Sequence, residues 1–171
     1  MKLRSITLKN FRSYISDTFS FHPSFNLIYG DNAQGKTNLL EAIHFLLSYK
    51  PFKQVRHEEI IYFGKDEAGI KGEIESGSGL DEVHVLLSGE RKIVKLNGKI
   101  VYKISRIVGR YGVVTFLPSD IELVKGGRQG RRRYLDTLIA GCDASYLRDL
   151  KQYHRALLQR NAVLSKARSL R

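Results

Sequence analysis

Apolar and polar positions alternate from the first residues of the chain. Leu3 to Leu8 reads as a strand, and Ile15, Asp17, Phe19 and Phe21 interleave with Ser16, Thr18 and Ser20 as a second, half-buried one. His22-Pro23-Ser24 breaks the pattern, and the short apolar run Phe25 to Tyr29 predicts a buried strand. From Thr37 to Leu47 the period changes, with Leu39, Leu40, Ile43, Leu46 and Leu47 at helical spacing. The middle of the chain returns to strands: Ala68 to Ile74, Val83 to Leu87, Ile93 to Leu96 and Ile100 to Tyr102. Ser76 to Gly79 predicts a flexible turn, and Asn97-Gly98 a tight hairpin, because both residues accept positive φ. Gly112 to Phe116 predicts one more apolar strand.

Beyond that strand the pattern is helical. Ser119 is the expected N-cap of a short helix through Val124 that stops at Gly126-Gly127. A second helical stretch begins at Arg128, and Asp143 or Ser145 is placed to cap a long last helix. In that helix Leu150, Leu157 and Leu164 recur every seventh position beside a row of Ala156, Val163 and Leu170. The stripe still runs at Arg171, so the chain is expected to be a piece of a longer protein.

Composition narrows the function classes. With 42% hydrophobic and 27% charged residues over 171 positions, the chain has the balance of one folded domain. No apolar run is long enough for a membrane span, so no membrane partner is expected. The single cysteine, Cys142, allows no internal disulfide and suits a reducing cytoplasm. His22, His44, His57, His84 and His154 have no paired ligand spacing, so no zinc site is expected. The net charge of +12 draws polyanions. It is concentrated in Lys125, Arg128, Arg131, Arg132 and Arg133, with no acid among them, and again in Arg148, Lys151, Arg155, Arg160, Lys166, Arg168 and Arg171. Such residues bind nucleic-acid phosphates without reading sequence, and no recognition-helix spacing accompanies them. A solvated helix face, or pairing of Arg131 to Arg133 with Asp136, is the structural alternative.

The sharpest chemical signal is Gly30-Asp31-Asn32-Ala33-Gln34-Gly35-Lys36-Thr37, which meets the G-x-x-x-x-G-K-[ST] pattern between an apolar run and a helical one. Glycines let successive N–H groups point inward at phosphate oxygens, and the following helix adds its free amides and positive dipole end. Lys36 is placed for the β- and γ-phosphates of a nucleoside triphosphate, and the Thr37 hydroxyl for Mg²⁺.

The residues around the loop resemble a known family. Asn32, the run Thr37-Asn38-Leu39-Leu40-Glu41-Ala42-Ile43, and the opening motif Leu8-Lys9-Asn10-Phe11-Arg12-Ser13-Tyr14 resemble the ABC-type ATPase heads of the SMC and RecF superfamily. So do Phe116 to Gly126, Arg131 to Asp136, and Tyr153 to Asn161, and these ordered blocks extend over essentially the whole chain. The resemblance implies an α/β fold: a P-loop half-head with an antiparallel β subdomain and the start of a helical arm. The expected division is an ATPase-head lobe over 1–141 and the beginning of the arm over 142–171. It implies ATP with Mg²⁺ as cofactor, with Arg12 approaching the phosphates, Asn10-Phe11 near the adenine, and Asn38 in the site. Asp120 stands where related heads carry a metal-sensing glutamine, so it is a candidate Mg²⁺ contact. The implied role is ATP-dependent binding of DNA, single-stranded, duplex or junction, in repair, recombination, replication and the SOS response. The expected partners are a second copy, through an ATP-dependent dimer, and other recombination mediators. The competing readings are another P-loop kinase or NTPase, and a basic nucleic-acid adaptor not gated by nucleotide.

Two family features find no match. No apolar strand ends in Asp-Glu, and Leu87-Ser88-Gly89-Glu90, which superficially resembles the Ser-Gly signature, lies between two strand patterns and reads as a hairpin turn. Phosphoryl transfer needs electrostatics from both halves of such a site. The chain is therefore expected to bind ATP weakly and to hydrolyse it negligibly. A phosphate-release assay checks this: turnover that disappears in Lys36→Ala contradicts it.

Overall fold

The computed structural model describes residues 1–52, 55–77, 79–104 and 107–169. It divides into two compact units, Met1–Ile104 and Ser105–Arg171, so the division by packing falls ahead of the 141/142 boundary read from the sequence.

The first unit is built on one six-stranded antiparallel sheet. In chain order its strands are β1 (Lys2–Phe11), β2 (Tyr14–Ser20), β3 (Glu67–Ser76), β4 (Gly79–Ser88), β5 (Arg91–Leu96) and β6 (Lys99–Ile100), arranged β2-β1-β3-β4-β5-β6. Successive side chains on a strand point to opposite faces. Register therefore gathers Ile6, Leu8, Ile70, Ile74, Val83, Val85 and Val94 on one buried face. Helix α1 (Lys36–Ser48) packs against β1, β3 and β4 and buries Leu39, Ala42, Phe45 and Leu46. The hairpins follow the turn chemistry. Asn97 and Gly98 take φ values of 49° and 77°, as a primed turn demands, and Gly89 turns β4 into β5 at φ 53°. The Ser88-Gly89 step is thus the hairpin expected from its place between strands. Of the turn expected at Ser76 to Gly79, Ser78 lies outside the described residues.

Two expected strands are absent. Phe25 to Tyr29 and Gly112 to Phe116 belong to no strand. Their large side chains face solvent, Phe25 at 73% exposure, Tyr29 at 84% and Phe116 at 89%. Apolar content is a preference for burial, whereas a strand also needs a neighbour to satisfy its N–H and C=O groups. No such neighbour joins these segments among the described residues. The strand returning from Asn97-Gly98 is likewise shorter than expected. It ends at Ile100, with one further bond from Val101 N to Val94 O of 2.8 Å.

The second unit is helical. A 3-10 turn at Pro118–Ile121 leads into α2 (Glu122–Lys125), followed by α3 (Arg128–Cys142) and α4 (Ala144–Ser169). The N-cap falls on Leu117, two residues ahead of the expected Ser119, and Asp120 at the third helical position accepts the Leu117 amide at its Oδ2, 2.7 Å away. The carboxylate reaches back over the turn. Between α3 and α4, Asp143 Oδ1 accepts from the Ser145 amide at 2.7 Å and from its hydroxyl at 2.6 Å. Those two bonds hold the Asp143 carboxyl below its usual range, as expected for an N-cap. Tyr146 donates to Asp136 Oδ1 at 2.7 Å and ties α4 back to α3. The heptad stripe of α4 is half-buried at Leu150 and Leu157 and exposed at Val163 and Leu164; Leu170 lies outside the described residues.

Gly72 marks the closest approach of helix and sheet. A Cβ there would collide with Leu46 Cδ2 and sit 3.3 Å from the Ser5 carbonyl oxygen. Leu46 is fully buried and has little room to swing away. Gly72→Ala is expected to lower stability by about 1–3 kcal/mol, read as a shift in the urea midpoint at unchanged slope. An unaltered midpoint contradicts the packing described.

Candidate functional site

Helix α1 begins without a side-chain cap. Gly35 holds its N-cap position at φ 89°, and the first helical bond runs from Leu39 N to Gly35 O at 2.9 Å. The amides of Lys36, Thr37 and Asn38 therefore have no carbonyl within the helix. Ahead of them the chain turns through Gly30 at φ 142° and Ala33 at φ 65°. The result is a cavity of about 170 Å³ lined by Asn32, Ala33, Gly35, Lys36, Thr37 and Asn38. Lys36 folds over the loop, its Nζ donating to Gly30 O at 2.6 Å and Asp31 O at 2.5 Å. Its ammonium is thus held at the loop by carbonyls alone.

The tip of the β1–β2 hairpin is bonded to two residues that line this cavity. Tyr14 donates its hydroxyl to Gly35 O at 3.1 Å, and Asn38 Nδ2 donates to Ser13 Oγ at 2.9 Å. Burial, with the charge of Asp17 as a smaller cause, pushes the Tyr14 phenol up, which keeps it a donor. These contacts explain why glycine stands at position 35 beyond its left-handed φ. A Cβ there would lie 2.9 Å from Tyr14 Oη and 3.0 Å from Ser13 Oγ. The hairpin tip is itself bent, with Asn10 at φ 50° and Arg12 at φ 51°. It is fastened to the segment before β3 by Arg12 N to Ile60 O at 2.7 Å and Tyr62 N to Asn10 O at 2.8 Å.

Arg12 makes the strongest side-chain pair of the site. Its Nε donates to Glu41 Oε2 at 2.9 Å and its Nη2 to Glu41 Oε1 at 3.0 Å, while Nη1 donates to Glu59 O at 2.6 Å. The Glu41 side chain is 8% exposed and that of Arg12 23%. Beside the pair opens a larger cavity, about 500 Å³, lined by Arg12, Ser13 and Asn38 together with Glu58, Glu59 and the 61–65 stretch. Asn38 borders both cavities. Phe63, 97% exposed, stands at the larger one. Phe11, by contrast, is fully buried and has no ring face to offer a base.

Of the expected residues, Asn32, Ala33, Gly35, Lys36, Thr37 and Asn38 line the smaller cavity, whereas Arg12 lines the larger one and shares it with Asn38 alone among them. Asp120 and the basic residues belong to the second unit. There Lys125, Arg128, Arg131, Arg132 and Arg133 are all exposed. Asp136, the expected acidic neighbour of the arginines, accepts from Tyr146 at its Oδ1, and Arg131 Nη1 donates to Gly126 O at 2.8 Å. Basic residues open α3 with no acid in its first turn, which the helix dipole disfavours. Helix stability therefore does not account for them. Sequence reasoning missed Glu41, Tyr14, Ser13 and the 58–65 wall. For Glu41 a signal existed: a lone carboxylate among the buried positions of an amphipathic helix.

The residues fit a bound phosphate chain: free helix-start amides, a lysine, a hydroxyl on Thr37 and a glycine where no side chain has room. Residues 5–161 match the family model described as "AAA domain". Curated relatives called DNA replication and repair protein RecF are 43% identical in Halalkalibacterium halodurans, 41% in Symbiobacterium thermophilum and 40% in Geobacter sp. strain M21, each over 96% of this chain. The chain spans less than half of those relatives' length, 44%, 44% and 45%. Among solved structures, the recombination mediator protein RecF with ATP, from the RecFOR pathway, superposes with a TM-score of 0.88 at 36% identity, covering 96% of this chain and 45% of that one. A structure from work on ATP-driven dimerization of SMC ATPases matches at TM-score 0.65 and 20% identity, covering 81% of this chain and 99% of that one, a likeness of fold.

Proposed function

This chain belongs to the AAA domain family, and we propose that it is the N-terminal part of a RecF-like protein, the phosphate-gripping half of an ATP-gated DNA-binding protein of repair, recombination and replication. The observation that carries the reading is the loop geometry. Uncapped amides at the start of α1, the Lys36 ammonium and the left-handed Gly35 surround one small cavity. That set is a donor array for the anionic end of a nucleotide.

ATP supplies the phosphate chain and Mg²⁺ neutralises part of its charge. Thr37 holds the metal through its hydroxyl. Asp120, the other Mg²⁺ candidate read from the sequence, belongs to the second unit, where one of its carboxylate oxygens accepts the Leu117 amide. Lys36 exchanges its carbonyl partners for phosphate oxygens, a gain because ionic hydrogen bonds are stronger than those to neutral carbonyls. Arg12 approaches the same phosphates from the hairpin tip.

Lys125, Arg128, Arg131, Arg132 and Arg133 form the DNA-facing surface. They recognise backbone phosphates, so single strands, duplexes and junctions share one mode of binding. Nucleotide closes two copies into a dimer that clamps the DNA, and other recombination mediators act with it.

Two measurements test this. Calorimetry with magnesium–ATP is expected to give heat for the chain and at least about a tenfold weaker affinity for Lys36→Ala, roughly 1.4 kcal/mol. Equal heats for both would remove the loop from the reading. In a DNA titration, about five phosphate contacts predict a fall in affinity of two to three orders of magnitude between about 50 and 200 mM salt. Replacing Arg131, Arg132 and Arg133 by alanine is expected to flatten that slope; a slope already flat in the unaltered chain argues against phosphate contacts.

A further inference from the structure

The Arg12–Glu41 pair has a geometry that reaches past a structural tether. Glu41 lies in the second turn of α1, the helix whose start forms the loop cavity. Arg12 lies on a hairpin tip bent through two positive-φ residues, a conformation that non-glycine residues keep only when their surroundings hold it. Glu41 engages Nε and Nη2 side by side, the fork geometry that fixes the plane of a guanidinium as well as its position. The carbonyl of Glu59 takes one N–H of Nη1. Each terminal nitrogen has thereby committed one N–H and keeps a second. The guanidinium lines the larger cavity, next to the Asn38 that borders the loop.

We propose that Glu41 is a positioning residue for the nucleotide site: by fixing the plane of Arg12 it aims the remaining N–H groups at the phosphates, so affinity depends on the pair and not on the Arg12 charge alone. The inference rests on the reading of the loop as a triphosphate site. Coulomb's law by itself argues the opposite sign. Glu41 is an anion near an anion site, and removing its charge would strengthen binding if Arg12 needed no aiming. The two accounts therefore differ in direction.

The test is a double-mutant cycle on the full chain, with magnesium–ATP affinity measured for the unaltered protein, Glu41→Gln, Arg12→Ala and the double variant. Positioning predicts that Glu41→Gln weakens binding about tenfold when Arg12 is present and has no further effect when it is absent. An equal loss in both backgrounds points to damage to α1 and overturns the proposal, as does unchanged or tighter binding. Arg12→Lys gives an independent check that leaves Glu41 in place. It retains the charge but not the fork, and is expected to bind as weakly as Arg12→Ala; binding like the unaltered chain overturns the proposal. Lys36→Ala run alongside separates the two levels. Binding indifferent to Lys36 removes the site and the proposal together, whereas Lys36-dependent binding with an additive cycle removes the proposal alone.

Discussion

The burial of one helix on one sheet is the constraint from which the site follows. Phe45 and Leu46 are excluded from solvent against the apolar face of β1, β3 and β4, with Gly72 making room for Leu46. A helix pressed down along its length cannot reorient its first turn. The uncapped amides of Lys36, Thr37 and Asn38 are therefore placed by packing that lies some distance away, and the loop inherits its geometry from the core. The hairpin tip adds a second fastening, through Tyr14 to Gly35 and Asn38 to Ser13. Fold stability and anion recognition thus share residues, since the side that holds the helix also shapes the cavity at its start.

Charge is arranged on a separate logic in each unit. In the first, the cations nearest the loop are held: Lys36 by two carbonyls, Arg12 by Glu41 and Glu59. Held cations lose less freedom when an anion arrives, which favours selective capture of a small, defined group. In the second unit the basic side chains from Lys125 to Arg133 lie exposed on helices. Exposed cations spaced along helices suit a long polyanion whose phosphates recur along a strand. The two arrangements match the two kinds of anion in the proposed function, one compact and one extended.

Local chemistry was legible in the sequence and distant pairing was not. The loop pattern, the helix after it, Asn97-Gly98 and the Asp143 cap each depend on residues a few positions apart, and each stands where the sequence places it. Phe25 to Tyr29 and Gly112 to Phe116 were misread because apolar composition cannot name a hydrogen-bonding neighbour. Arg12 was legible as a site residue by resemblance, but its partner Glu41 lies 29 positions away, and Tyr14 reaches Gly35 across 21. The wall around Tyr62 and Phe63 came from the same source, a bridge between Phe11 and Ile61 that no local pattern announces. The Ser119 cap was misplaced by two residues, because the turn starts at Pro118 and the Asp120 carboxylate reaches back to the Leu117 amide.

The segment before the loop has a colloidal consequence. From Phe21 to Gly30 the chain carries no lysine, arginine, aspartate or glutamate, and Phe25, Leu27 and Tyr29 stand exposed to water. A stretch of that kind is adhesive toward its own copies, and no charged gatekeeper interrupts it. What keeps molecules apart is the repulsion of a chain bearing a net +12. Salt shortens the range of that repulsion without weakening the apolar contact. Solutions of this protein are thus most dispersed at low ionic strength and most prone to self-association as electrolyte is added.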